Sequence, residues 1–255
     1  RGWINASDLS TTDNRIEDVQ RVLNEKYNNQ EHISVYVKQL DTDRVAAIND
    51  EKSMYAASIA KLGVLYYAQE RLSQKKLSLS NEYQYTSTVN GFPGAYDPDG
   101  SGKISKMTDD KNYSLENLLK AVAQNSDNVA TNILGYYVAN QYDNSFQKSV
   151  DKASATSWNM DKKELTARAA GTLMEAIYRQ NGDIINYLSS TDYDGERISK
   201  NIDVPVAHKI GDAYDFKHDV AIVYTDSPFI LSIFTDKEGY DKITSIADDV
   251  YGILK

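Results

Sequence analysis

The chain has no cysteine and three histidines, so a nucleophile must come from serine, threonine, lysine, a carboxylate or one of those histidines. Ser58-Ile59-Ala60-Lys61 offers one way to make a serine reactive. Residues three apart on a helix share a face. A lysine that loses its proton through desolvation and neighbouring positive charge can accept the serine proton. The chemistry this permits is attack on an acyl carbonyl. The same pattern occurs at Ser73–Lys76, Ser145–Lys148 and Ser149–Lys152, in stretches that read as loops or polar segments without an apolar helical stripe. Ser58 alone stands where a pair of strands hands over to an apolar helix, marked by Ile59, Leu62, Leu65, Tyr66 and Leu72. There its hydroxyl lies at the positive end of the helix dipole.

Two further groups follow in chain order. Ser126-Asp127-Asn128 falls at the junction of two helical stretches, and Lys209-Ile210-Gly211 falls on a late strand. Each is weak alone, since Ser-x-Asn recurs at Ser157–Asn159 and Lys-x-Gly at Lys61–Gly63 and Lys237–Gly239. The ordered set, each member in a fitting structural context, carries the argument. A histidine-based triad is disfavoured because no Gly-x-Ser-x-Gly occurs. His32 precedes a strand that reads as structural, and His208 and His218 belong to the late strands. No two histidines have the i, i+4 spacing of a helical metal motif, and no metal site is expected.

These segments resemble a class A β-lactamase or a related penicillin-binding serine hydrolase. The similarity includes Tyr55–Lys61, Gln124–Asn132, Thr166-Ala167-Arg168, His208–Gly211 and the following Asp219–Tyr224, and it extends from about Asp13 to Lys255. The resemblance implies that Ser58 attacks a β-lactam ring or a D-alanyl peptide and that Lys61 accepts its proton. It implies that Ser126 passes a proton to the leaving nitrogen and that Asn128 orients Lys61 and the substrate amide. Lys209 would place positive charge near the substrate carboxylate. The oxyanion hole would be the backbone N–H groups of Ser58 and of Asp212, the residue after Gly211. Asp127 is expected to support its loop rather than react. No cofactor is implied, and the partner is a small-molecule or peptide substrate.

Two departures bear on turnover. Class A enzymes carry a Glu-x-x-Leu-Asn whose carboxylate activates the deacylating water. The stretch from Val129 to Leu165 lacks it, and its one glutamate, Glu164, reads as a helix-start residue capping with Asp161. Without a positioned base an acyl-enzyme would form and persist. The second departure is Ile210, where the family usually has Ser or Thr. Losing one charge-assisted hydrogen bond there removes about 1.5–3 kcal/mol. Either the substrate lacks a carboxylate at that spot, or Lys209 and another donor hold it.

Asp97-Pro98-Asp99-Gly100-Ser101-Gly102 resembles the opening of a calcium loop, but its twelfth position is Thr108 rather than a bidentate Glu. A Gly/Asp turn is the favoured reading, with calcium at Asp97, Asp99 and Ser101 left open. Tyr83, Tyr85, Tyr96 and Tyr113 could line a glycan or peptide cleft, or pack with their hydroxyls in water.

The elements that must position these groups are legible as periods. A helix from Thr12, capped by Thr12 or Asp13, carries Ile16, Val19, Val22 and Leu23. Ile33, Val35 and Val37 alternate as a strand, and Arg44–Ile48 returns after a turn at Asp41-Thr42-Asp43. Helices are expected over Tyr113–Ala123, capped by Ser114, over Val129–Val138 and over Thr166–Arg179. Val204–Ile210, Val220–Tyr224 and Phe229–Thr235 read as strands, and a helix closes the chain from Tyr240. Strands at both ends with helices between predict an α+β fold: a five-stranded antiparallel sheet flanked by terminal helices, with an inserted all-helical domain. The boundaries expected are a linker over residues 1–11, a discontinuous sheet domain over 12–75 and 200–255, and a helical domain over 76–199.

With 28 basic against 37 acidic residues the net charge is −9, which disfavours a grip on phosphate backbones of nucleic acid. No apolar run approaches the roughly 18 residues of a membrane span. The resemblance implies a bacterial, extracytoplasmic monomer whose first residues, Arg1–Thr11, are the remnant of a stalk behind a signal or anchor.

Overall fold

The computed structural model describes residues 13–255, so the expected linker and Thr12 lie outside the described residues. Helix α1 (Arg15–Tyr27) buries Ile16, Val19, Leu23 and Tyr27 along one stripe. Its first residue is anchored by Asp13, whose carboxylate accepts from the Arg15 N–H at 3.0 Å. Strands β1 (Ile33–Gln39) and β2 (Val45–Ile48) form an antiparallel hairpin with Val35 opposite Ile48. A two-residue strand β3 (Met54–Tyr55) then leads through a 3₁₀ turn, Ala57–Ala60, into α2 (Lys61–Ser73).

The middle of the chain contains a small hairpin, β4 (Glu82–Gln84) with β5 (Asn112–Ser114), then α3 (Leu115–Asn125), α4 (Asn128–Tyr137) and α5 (Asn144–Ser154). Strand β6 (Glu164–Leu165), α6 (Ala167–Gln180) and α7 (Asp183–Tyr187) follow. Local chemistry fixes the helix starts, because a side-chain oxygen satisfies an otherwise orphaned N–H. Ser114 accepts from the Asn117 N–H, Asp127 from Ala130 and Thr166 from Ala169. The chain ends with β7 (Val206–Ala213), β8 (Phe216–Val223), β9 (Phe229–Asp236) and α8 (Tyr240–Leu254).

The five long strands make one antiparallel sheet in the order β2-β1-β9-β8-β7, confirming the predicted fold. The two chain ends meet where β1 pairs with β9, Val35 opposite Ile233. One face packs Val35, Val37, Leu231 and Ile233 against α1 and α8. The other packs Tyr36, Ile230 and Phe234 against α6, through Leu173, Met174 and Ile177, in a core that continues into α2, α3 and α4. Each fully buried side chain of this size contributes roughly 1.5–3 kcal/mol of transfer free energy. That rigidity holds the sheet edge and α2 in fixed relation.

Two expectations are corrected. The stretch holding Ser145–Lys148 and Ser149–Lys152 is not loop-like: it is α5, capped by Asp143 and buried through Phe146, Val150 and Ser154. Glu164 does not cap a helix with Asp161. It lies on β6 opposite Tyr55, and Thr166 caps α6 instead.

Candidate active site

Ser58 lies in the 3₁₀ turn ahead of α2, with its side chain largely buried. The preceding Ala57 holds φ at 49°, a left-handed value unusual for a residue with a Cβ. The turn is held from two sides. The Tyr96 hydroxyl donates to the Ala57 carbonyl at 3.1 Å, and the Ala56 N–H donates to the Lys163 carbonyl at 2.7 Å.

The edge strand β7 closes the third side. A Cβ at Gly211 would lie 2.7 Å from the Ala56 carbonyl oxygen and 2.8 Å from Ile59, so only glycine lets β7 approach this closely. The His208 N–H points off the sheet edge to the Leu188 carbonyl at 2.9 Å. Strand alternation therefore puts the Ile210 and Asp212 N–H groups on that same edge, facing the Ser58 turn.

Lys61 is fully buried behind Ser58. Its Nζ donates to the Ser126 carbonyl at 2.6 Å and to Asn128 Oδ1 at 2.6 Å, with Ser126 Oγ at 3.3 Å. Ser126 adopts a left-handed conformation at the C-terminus of α3, which turns its carbonyl and hydroxyl towards Lys61. Lys209, also buried, donates from Nζ to Ser126 Oγ at 2.7 Å and to the Ile210 carbonyl at 2.9 Å. The residues singled out in sequence, Ser58, Lys61, Ser126, Asn128, Lys209, Gly211 and Asp212, thus converge at one place. Tyr55, Tyr96, Asp97, Asn128 and Asp212 line a cleft of about 210 Å³ at Ser58. Asp127 caps α4 and accepts from the Lys103 and Ile104 N–H groups at 2.6 and 2.9 Å, which fits the supporting role expected of it.

Burial pushes the Lys61 amine well below the usual lysine range, and the Lys209 and Lys163 charges add to the shift against an opposing pull from Asp127. Burial takes Lys209 down to about 7, helped by Arg197 and opposed by Asp219. His208 is buried against that same Asp219. Burial alone would lower its pKa, but the Asp219 and Asp194 carboxylates outweigh it and raise the ring to about 9. The His208 Nδ1 lies 3.0 Å from Asp219 Oδ1 and its Nε2 3.1 Å from Asp194 Oδ1.

Three contributors were not assigned a role from sequence. Tyr96, noted there only as one of several tyrosines, has its ring centroid 4.5 Å from Lys61 Nζ. Lys163 is buried against the same ring and donates to the Gly94 carbonyl at 3.1 Å. Arg197, fully buried, pairs with Asp212 at 2.8 Å on the face of β7 that Ile210 and Asp212 share, and also contacts Glu196 and the Tyr240 ring. The tyrosines beside Tyr96 do other work. Tyr85 is buried, Tyr83 stacks on Tyr137 and Tyr113 donates to Asp109.

The loop considered for calcium serves the site. The Asp97 carboxylate accepts from the Asp99 N–H at 2.9 Å, and the Asp97 carbonyl accepts from Asn128 Nδ2 at 2.7 Å. Among the described residues, no group of three or more His, Asp or Glu is placed to hold a metal ion.

A family model described as the β-lactamase enzyme family matches residues 14–254. The chain belongs to that family. A search of curated proteins finds no match. Solved structures similar to this β-lactamase-family chain include PBP-A, 14% identical with a TM-score of 0.75 over 95% of this chain and 96% of that one. A point mutant of PBP-A, solved as an acyl-enzyme complex with penicillin G, is 14% identical with a TM-score of 0.74, covering 94% and 96%. The TLA-1 extended-spectrum β-lactamase is 18% identical with a TM-score of 0.73, covering 94% and 99%. These likenesses extend the β-lactamase fold over nearly the whole described chain. Family and fold together make the chain a β-lactamase-like hydrolase. Among the described residues no helix is long and apolar enough to cross a membrane.

Proposed function

We propose that this chain is a serine hydrolase that forms an acyl-enzyme at Ser58 with β-lactams or D-alanyl peptides and releases it slowly. The observation that carries the reading is the placement of Lys61, buried behind Ser58 with Nζ on the Ser126 and Asn128 oxygens, where burial lowers its pKa and favours the neutral amine. A neutral amine has two N–H groups and a lone pair. The two carbonyl oxygens at 2.6 Å, from Ser126 and Asn128, account for both N–H groups. The lone pair is then left for a hydroxyl proton.

In this reading the Ser58 oxygen attacks the carbonyl carbon while its proton passes to Lys61 Nζ. Negative charge on the carbonyl oxygen is met by the Ser58 and Asp212 N–H groups, and losing one such donor costs about 10²–10³ in rate. Lys209 donates to Ser126 Oγ, so the Ser126 O–H is free to give its proton to the leaving nitrogen. Lys61 then returns the proton to Ser126. Arg197 and Lys209 together are the cations at the position where Ile210 offers no hydroxyl.

Slow release follows from Lys163. It brings a cation to the Tyr96 ring beside Lys61, and no glutamate of this segment replaces the absent water-activating one. D-alanyl-D-alanine carboxypeptidase or esterase activity uses the same acyl chemistry. A muropeptide-binding protein without turnover is favoured only by Ile210 and the absent base. Cell-wall peptides as substrates would place the protein outside the cytoplasm of a bacterium, with a monomer and membrane tethering as parts of that reading.

The test is the intact mass followed over time with benzylpenicillin, with Ser58→Ala as control. A stable single adduct absent from the variant is expected. No adduct would overturn β-lactam recognition, and a transient one with drug consumption would overturn slow release.

A further inference from the structure

We propose that a second site, the cleft between the C-terminal part of α2 and α5, binds a soluble ligand bearing several phosphate groups. The cleft measures about 440 Å³ and is lined by Arg71, Lys76, Lys148 and Lys152, with Ser145 and Ser149 between them. The three Ser-x-x-Lys segments that the Ser58 site leaves unused all contribute to it: Lys76 from one, and serine and lysine from both of the others. Arg71 is ten residues beyond Lys61 on α2, so at 1.5 Å per residue the cleft is about 15 Å from the Ser58 site.

Charge sets this cleft apart. The protein carries a net −9. Elsewhere many of its cations are neutralised, as in Lys26–Asp249, Lys38–Glu175, Lys103–Asp192 and Lys120–Glu116. Among the described residues, none of the four cleft cations forms an ion pair. The one acid lining the cleft is Glu70, whose Oε2 accepts from Ser149 Oγ at 2.9 Å. Arg71 is held in place by stacking on Tyr67, with its guanidinium 4.5 Å from the ring centroid, and by donating to Ser145 Oγ at 2.9 Å. Four like charges gathered around one concavity repel each other, and an anion relieves that cost.

The lining does not suit acyl transfer. Lys148 and Lys152 are exposed, unlike Lys61, and Ser149 donates to a carboxylate rather than to a lysine. It does suit phosphate. Arg71 offers a guanidinium fork that phosphate oxygens can accept from in pairs, and the three lysines add point charges that phosphate oxygens accept from any direction. Four cations lining one cleft are matched in charge by a ligand that carries several anionic groups rather than one. The concave shape favours a soluble ligand over a flat lipid surface.

Isothermal titration of the full chain with tripolyphosphate at low salt tests this, alongside Lys148→Glu/Lys152→Glu, whose exposed positions leave the core untouched. The expected result is saturable one-to-one binding, weakened at least about tenfold in the double variant, with its circular dichroism and melting temperature near wild type. Absence of saturable binding, equal binding of citrate, or binding unchanged in the double variant would overturn the proposal. So would co-sedimentation with phosphatidylglycerol vesicles that depends on these lysines while tripolyphosphate fails to bind.

Discussion

The Nζ atoms of Lys61 and Lys163 each lie 4.5 Å from the centroid of one ring, that of Tyr96. Two lysine side chains are thus coupled through an aromatic side chain whose hydroxyl also holds the Ser58 turn. The arrangement links the geometry of the turn to the protonation of the base behind it. Burial does most to lower the Lys61 pKa, Lys209 comes next, and Lys163 adds to both.

Removing the Lys163 charge should therefore make Lys61 a stronger base but a less available one. In Lys163→Met the Lys61 pKa rises, so a smaller fraction is neutral at any pH on the acid side of the profile. The acid limb of the acylation rate moves to higher pH, and acylation on that limb slows a few-fold. Lys163→Arg keeps the charge and should keep the limb. Stopped-flow acylation by a chromogenic cephalosporin from pH 5 to 9 checks this, and an unmoved limb in the Met variant would refute the coupling.

Lys209 should be a stability cost that function retains. Its pKa falls from 10.5 to about 7 on folding, because burial disfavours the ammonium. Below pH 7 both folded and unfolded states bind the proton, and the full penalty of burying the charge is present. Between pH 7 and 10.5 the unfolded state binds more protons, so stability rises with pH until the penalty is gone. Lys209→Met should stabilise the fold by about 1–4 kcal/mol at pH 6, with the gain shrinking towards pH 10, while acylation collapses. Urea melts at both pH values decide it.

The parts of the site that were legible in sequence are those carried by short local spacings. Ser58 and Lys61 share one turn, Ser126 and Asn128 flank one helix junction, and Lys209 and Gly211 share one strand face. The alternation of Ile33, Val35 and Val37 and the late apolar runs were enough to build the sheet. Lys163 was invisible because its partner carbonyl, Gly94, is 69 residues away and neither residue belongs to a motif. Helix α5 was missed because its buried residues, Phe146, Val150 and Ser154, repeat every four positions in an otherwise polar segment and include a serine. Glu164 misled because an acid before Thr166-Ala167-Arg168 looks like a cap, whereas the Thr166 hydroxyl already satisfies the Ala169 N–H.

The two buried late histidines should titrate far apart. His208, between Asp219 and Asp194, should lose its proton near pH 9, and His218, buried with its Nε2 2.8 Å from the Tyr55 carbonyl, should do so near pH 4. For His208 the folded value exceeds the unfolded 6.5, so its contribution to stability is complete below pH 6.5 and is lost as pH rises through 9. Asp194→Asn removes one of the carboxylates and should lower the His208 midpoint while leaving that of His218 in place. Ring-proton NMR titration reads both directly, and midpoints that coincide would contradict the burial and pairing described.

The close approach of β7 to the Ser58 turn predicts the effect of a single methyl group. In Gly211→Ala the new Cβ would lie 2.7 Å from the Ala56 carbonyl oxygen, a backbone atom that cannot rotate away, so strand and turn must separate. Overpacking of this kind costs about 1–3 kcal/mol. The larger effect should be on rate, because the Asp212 N–H faces the turn from the same edge of β7 and moves with it. If that N–H is an oxyanion donor, acylation falls by about 10²–10³, while non-covalent binding of a penicillin, measured in the Ser58→Ala background, changes little. Loss of binding equal to the loss of rate would show that Gly211 shapes the cleft for the ground state. A near-wild-type rate would remove the Asp212 N–H from the mechanism.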